Sequence, residues 1–288
     1  MSVVRFFKYL LPHWFFILKQ QRNHGVRKKN PLRYQLKVDS IKTNFERKHN
    51  QVSGEPYGFD SSLQYLSSLG LDQNQILLGS IPEQHLNFII QYLTSYFGSI
   101  TLRGIHIGNF LGVSLCHLGH WMKNQSHQSV LIAIDPNLNH RGIDRCNEIA
   151  MDLVQHFGLS DHIINVVGYS MWKSISNDGI DYIGSYDPER YFHEESSPEH
   201  QLKNLSKVLS GGINFIILDG NHNHDYLMEE LRQADLLLKP NGLIILDDVH
   251  ESWPAIKSIF DHMSIEGKYE KVGYDGRIGI IRRIGGVD

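Results

Sequence analysis

INFIILDGNHNHDYLMEELRQADLLLKPNGLIILDDVH, residues 213–250, contains two apolar runs with one helical pattern between them. INFIILDG (213–220) and GLIILDD (242–248) are apolar at nearly every position, the mark of strands buried on both faces. DYLMEELRQADLLLK (225–239) repeats apolar residues at helical spacing, and Pro240-Asn241-Gly242 ends it. Strand, helix and strand in so short a span predict two parallel neighbours joined by a crossover helix. Both strands end in acid. Asp219 follows the first, and Asp247 and Asp248 follow the second.

The same alternation extends upstream. LRGIHIG (102–108), VLIAID (130–135) and HIINVVG (162–168) read as three more buried strands, and NEIAMDLVQHFGL (147–159) as an amphipathic helix. PEQHLNFIIQYLTSYF (82–97) is a helix with Pro82 at its start. Alternating strands and helices imply an α/β fold with a parallel sheet covered on both sides. Downstream the pattern changes. KYEKVGYDGRIGIIRRI (268–284) carries Asp275-Gly276 between two strand-like runs, which is a hairpin signal. Residues 171–209 form a long insert rich in turn formers and aromatics, expected at the C-terminal edge of the sheet as a lid or as a surface loop.

Charge separates the chain into an arm and a body. Residues 1–50 hold 12 Lys+Arg against 2 Asp+Glu, whereas the remainder holds 16 against 29. The reading is a basic, aromatic arm and linker over 1–60 followed by one domain over 61–288. FFKYLLPHWFFIL (6–18) is too short to span a bilayer and is interrupted by Lys8, Pro12 and His13. It is expected either to dock on the domain or a second subunit, giving a homo-oligomer, or to lie on a membrane surface beside Arg22, Arg27, Lys28, Lys29 and Arg33. No signal-peptide cleavage site follows it. Two cysteines, Cys116 and Cys146, cannot build a disulfide framework, so the expected compartment is the cytoplasm. An acidic body argues against a nucleic-acid partner.

Four places carry chemistry. HIGNFLGVS (106–114) puts Gly108, Asn109, Gly112 and Ser114 between a strand and the start of a helix, where backbone can approach a ligand and the helix N-terminus favours an anion. Asp135 ends the next strand, 27 residues after Gly108, where an acid can accept from both hydroxyls of a ribose. Gly168-Tyr169-Ser170 ends the third strand, where Tyr169 or Ser170 could meet an adenine. Asp219, Asp247 and Asp248 share one sheet edge and repel one another unless a cation sits among them. Mg²⁺, Mn²⁺ or Ca²⁺ would suit such oxygen ligands, while nearby His222, His224 and His250 would admit Zn²⁺ or Fe²⁺. Helix capping is the alternative for Asp247 and Asp248.

Over residues 75–284 the D-G-x-H run, the helix and the following P-x-G-x-x-x-x-D-D resemble the metal-dependent class I S-adenosylmethionine O-methyltransferases of the macrocin O-methyltransferase and cephalosporin hydroxylase-like group. The resemblance implies a Rossmann-like, mostly parallel seven-stranded sheet closed by an antiparallel C-terminal hairpin. It also implies S-adenosylmethionine held by Gly108, Gly112, Ser114 and Asp135, and Mg²⁺ or Mn²⁺ held by Asp219, Asp247 and Asp248. Two positions depart from that pattern. His106 stands where the family carries an acid, and Asn221 stands where it often carries the Asp proposed as general base. A neutral amide cannot take a proton, so His222 or a metal-bound species becomes the candidate base. The expected reaction is O-methylation of a hydroxylated small molecule or sugar, and two adjacent oxygens would allow an acceptor to chelate the metal. A nicotinamide-dependent oxidoreductase and a non-catalytic scaffold on the same fold are the competing readings.

Overall fold

The computed structural model describes residues 57–138, 140–171, 173–175, 192–194, 200–263 and 268–284. The basic arm and most of the 171–209 insert, with the roles expected for them, lie outside the described residues.

Among the described residues three helices come first: α1 (Phe59–Ser68), α2 (Gln73–Leu78) and α3 (Glu83–Phe97). In α3, Leu86, Ile89 and Leu93 recur at helical spacing and all three are buried. Each such side chain contributes roughly 1.5–3 kcal/mol relative to exposure. Asp72 caps α2 by accepting from the Gln75 N–H. Alternation then begins with β1 (Arg103–Ile107), α4 (Val113–Gln125), β2 (Val130–Asp135), α5 (Cys146–His156) and β3 (Ile163–Val167). Two three-residue strands, β4 (Lys173–Ile175) and β5 (Phe192–Glu194), pair antiparallel on their own. The tail of the insert is a helix, α6 (Gln201–Leu209), rather than loop. The chain continues with β6 (Ile213–Leu218), α7 (His224–Leu237), β7 (Leu238–Leu246), α8 (Pro254–His262), β8 (Tyr269–Tyr274) and β9 (Gly279–Arg283).

The main sheet has seven strands in the order β3-β2-β1-β6-β7-β9-β8. β1, β2, β3, β6 and β7 pair in parallel, while β9 runs antiparallel to both β7 and β8. This is the Rossmann-like arrangement that the sequence patterns and the resemblance imply. β6 is buried at every position, because strands flank it on both edges and helices cover its faces. β3 departs from the expectation of full burial. It is an edge strand, and Ile164 and Val167 are about half exposed. β7 starts earlier than its sequence suggests, because Leu238 already pairs with Ile213. Pro240 and Asn241, the latter at φ 62°, then bulge out before Leu243 pairs with Phe215.

β1 and β2 are followed by turns at the same sheet edge as the ends of β6 and β7, on either side of the point where chain order reverses. Crevices at such switch points are where ligands bind in open α/β sheets.

Candidate functional site

The loop after β1 is held by backbone geometry. Gly108 has φ 84°, and a Cβ there would lie 1.9 Å from the carbonyl oxygen of Asp219. Only glycine lets this turn lie against the end of β6. Gly112 has φ 83°, and a Cβ there would fall 2.9 Å from that of Ala150 on α5. Its glycine therefore lets α4 and α5 pack closely. Asp135, at the end of β2, ties the loop down. Its Oδ2 accepts from the Asn109 N–H at 2.8 Å and the Phe110 N–H at 3.2 Å, and its Oδ1 accepts from the Asn137 N–H at 2.8 Å. Burial raises its carboxyl above the usual range, against the pull of those three N–H groups.

Beneath the loop His106 is completely buried, which brings its imidazole down to about 4. The neutral ring donates from Nδ1 to Asn109 Oδ1 at 2.9 Å. His106 Nε2 and Asn109 Nδ2 are buried without a partner among the described residues.

A cavity of about 200 Å³ opens above these strand ends. Gly108 and Asp135 wall one side of it, and Tyr169 and Ser170 from the end of β3 wall another. Asp219, His222, Asp247, Asp248 and Arg277 close the side facing the hairpin. Three residues expected to contact a cofactor, Asn109, Gly112 and Ser114, stand behind the lining instead. Leu78, Gly79 and Ser80 at the end of α2 complete the rim and gave no signal in sequence.

Ser170 also roots the cavity floor. Its hydroxyl donates to Glu230 Oε1 and lies 3.2 Å from the Tyr226 hydroxyl, which in turn accepts from the Met171 N–H. Burial pushes the Glu230 carboxyl up to about 8, against the Ser170 hydrogen bond, and its Oε2 has no partner among the described residues.

The acidic edge converges as expected but is neutralised differently. Arg277, from the turn between β8 and β9, donates from Nε to Asp247 Oδ1 at 2.7 Å and from Nη2 to Asp247 Oδ2 at 2.6 Å. The same Nη2 lies 3.1 Å from Asp248 Oδ1. Burial and the neighbouring charges of Asp247 and Asp248 hold the Asp219 carboxyl well above its usual range. Burial opposes ionisation of Asp248 too, but His222 and Arg277 outweigh it and bring that carboxyl down to about 2. A guanidinium therefore lies against two of the three carboxylates, Asp247 and Asp248. Each oxygen of Asp247 already accepts from Arg277, so a divalent ion placed there would share both with a guanidinium of like charge. Among the described residues no group of three or more His, Cys, Asp or Glu is arranged to hold a metal.

His222 stacks on Trp253 with ring centroids 4.1 Å apart, and its Nε2 lies 3.4 Å from Asp248 Oδ2. That separation is long for a hydrogen bond, and Nε2 has no other partner among the described residues. His250 Nε2 lies 3.2 Å from Asp248 Oδ1. His224 stands apart, exposed at the start of α7. Asn221 Oδ1 accepts from the Asn223 N–H at 2.9 Å, and Asn223 caps α7. Asn221 thus shapes the turn that presents His222.

The Methyltransferase domain family matches residues 105–249, which is 145 of the 288 residues and spans β1 to the turn after β7. This chain belongs to that methyltransferase family. Comparison with curated proteins gives no match. Among solved structures the methyltransferase is similar to an O-methyltransferase from Bacillus cereus in complex with S-adenosylhomocysteine. The TM-score is 0.53 at 14% identity, over 84% of this chain and 100% of that one. TomG from Streptomyces achromogenes, an O-methyltransferase involved in tomaymycin synthesis and solved with S-adenosylmethionine, gives 0.52 at 14% identity, over 85% and 96%. A methyltransferase from Geobacter sulfurreducens gives 0.50 at 14% identity, over 80% and 91%. At these identities the shared property is the fold. The family match, with the antiparallel β9, sets aside the nicotinamide-dependent reading. Among the described residues of the methyltransferase no helix is long and apolar enough to cross a membrane.

Proposed function

We propose that this methyltransferase uses S-adenosylmethionine to methylate a hydroxyl oxygen of a small molecule or sugar. The observation that carries the reading is the cavity itself. It lies over the ends of β1, β2, β6 and β7, with the glycine turn and Asp135 on one side and a titratable cluster on the other. The Bacillus cereus and Streptomyces achromogenes proteins, on the same fold, hold S-adenosylhomocysteine and S-adenosylmethionine.

When bound, the cofactor supplies a methyl carbon activated by its sulfonium. The chain's task is to align it with an acceptor oxygen and to remove a proton. A carboxylate offers about four lone-pair sites. Asp135 uses three of them on backbone N–H groups, leaving one on Oδ1 for a ribose hydroxyl. Tyr169 and Ser170 flank the end of the cavity where a base would lie. His222 lines the cavity, and Nδ1, the ring nitrogen other than the buried Nε2 that faces Asp248, takes the proton of the acceptor hydroxyl. Asp248, 3.4 Å away, stabilises the resulting imidazolium, and the Trp253 stack fixes the ring. Mg²⁺ or Mn²⁺ at Asp219, Asp247 and Asp248, which the sequence resemblance implies, has no part in this reading because the Arg277 guanidinium already joins Asp247 and Asp248.

Calorimetry with S-adenosylhomocysteine tests the reading. The wild type should bind, and Asp135→Ala should lose on the order of 1–3 kcal/mol through the ribose bond and the released loop. No heat and no thermal shift at millimolar S-adenosylhomocysteine or S-adenosylmethionine would sink it.

A further inference from the structure

The guanidinium at the acidic edge is built in on every side. Leu246 pairs with Gly279 in the antiparallel register of β7 and β9. Carried two residues further on each strand, that register sets Arg277 opposite Asp248. The Arg277 carbonyl accepts from the Val249 N–H at 2.8 Å, which locks its backbone to the end of β7. Its own N–H donates to Asp275 Oδ1 at 3.0 Å, and Asp275 Oδ2 is held by His85 Nδ1 of α3 at 2.7 Å. The side chain is thus aimed by two strands and a helix before it meets a carboxylate.

We propose that Arg277 is the resident cation of this site, holding Asp247 and Asp248 where a divalent ion would otherwise sit and offering its remaining N–H groups to the acceptor oxygen. The proposal rests on the methyltransferase reading of this cavity. Three observations carry it. The contact with Asp247 is bidentate, and the Asp247 side chain is almost wholly buried, at 1% exposure, so an ion there would have to share both oxygens with the guanidinium. An ion drawn to Asp248 would have to approach within reach of the guanidinium that already contacts it, charge against charge. Arg277 keeps about a quarter of its side chain exposed and lines the cavity, and its contacts with Asp247 and Asp248 run through Nε and Nη2.

The substitution changes what an acceptor must look like. A divalent ion accepts two adjacent oxygens into one coordination sphere. A guanidinium edge already committed to Asp247 and Asp248 offers only its remaining donors. A single hydroxyl beside His222 then suffices, with no second oxygen required.

Mn²⁺ is the probe, and its binding is measured by calorimetry and electron paramagnetic resonance on the full chain. The wild type should show no stoichiometric Mn²⁺ site at micromolar concentration. Its melting temperature and its affinity for S-adenosylhomocysteine should be the same in EDTA and in millimolar Mn²⁺. Arg277→Ala should melt lower in EDTA and gain Mn²⁺ affinity by an order of magnitude or more, as the freed carboxylates find a new partner. Arg277→Lys should keep the ion out, because the charge remains. One Mn²⁺ bound tightly by the wild type and lost in Asp247→Asn would overturn the proposal, whether or not the Arg277 variants fold. Failure to bind S-adenosylhomocysteine with or without Mn²⁺ would instead count against the methyltransferase reading, since the Mn²⁺ titration is read independently.

Discussion

Gly108 shows how much one missing Cβ can settle. Both a ligand approach and a packing contact call for glycine at the end of β1, and sequence alone cannot separate them. The structure supplies the packing reason, a backbone oxygen 1.9 Å from where a Cβ would stand. Gly108→Ala should therefore destabilise the fold by about 2–5 kcal/mol, from the left-handed backbone and the displaced β6 end together. Urea unfolding checks this, and a variant as stable as wild type would refute the contact. Two buried titratable groups set the pH limits of stability. Glu230 rises from 4.5 to about 8 on folding, so its contribution is full below pH 4.5 and declines as pH rises through about 8. His106 falls from 6.5 to about 4, so its contribution is full above pH 6.5 and is lost as pH falls through about 4. Glu230→Gln should remove an alkaline loss on the order of 3 kcal/mol, measured as the difference in unfolding free energy between pH 5 and pH 8. An unchanged difference would mean that Glu230 ionises freely in the fold.

At the scale of elements, the buried strands were the most legible part. IIL before Asp219 and IIL before Asp247 could only be interior strands of a sheet covered on both sides, and β6 and β7 are those strands. β3 misled for the same reason, since HIINVVG has the composition of a central strand but lies at the edge. Composition reports what a strand tolerates, and only pairing decides which neighbour it lacks. α6 escaped notice because Gln201–Leu209 carries just one buried residue, Leu202, and follows a turn-rich segment. The convergence of Asp219, Asp247 and Asp248 followed from parallel strands alone. Arg277 did not, because it lies thirty positions from Asp247 and meets it only through the β7–β9 register. The visible clue was an Arg directly after Asp275-Gly276, where a hairpin hands its first side chain back to the sheet. His222 was legible as a base candidate once Asn221 was seen to be an amide. Its stack on Trp253 was not, since the aromatic belongs to the turn before α8.

For the molecule as a whole, the order of the strands differs from the order in which they are made. β9 is synthesised after β8 yet lies between β8 and β7. Until β9 arrives, the outer edge of β7 has no partner, and Leu243 to Leu246 present an apolar ladder of free N–H and C=O groups. An unpaired edge of this kind is a template for another chain. Nascent chains stalled with β8 emerged but β9 still unmade should aggregate, or be retained by chaperones, far more than chains released after residue 284. Centrifugation of stalled and released translation products would measure the difference, and equal solubility would show that β7 is sheltered some other way. The strand that brings Arg277 to the site is therefore also the one that ends the interval in which the newborn protein can stick to its own copies.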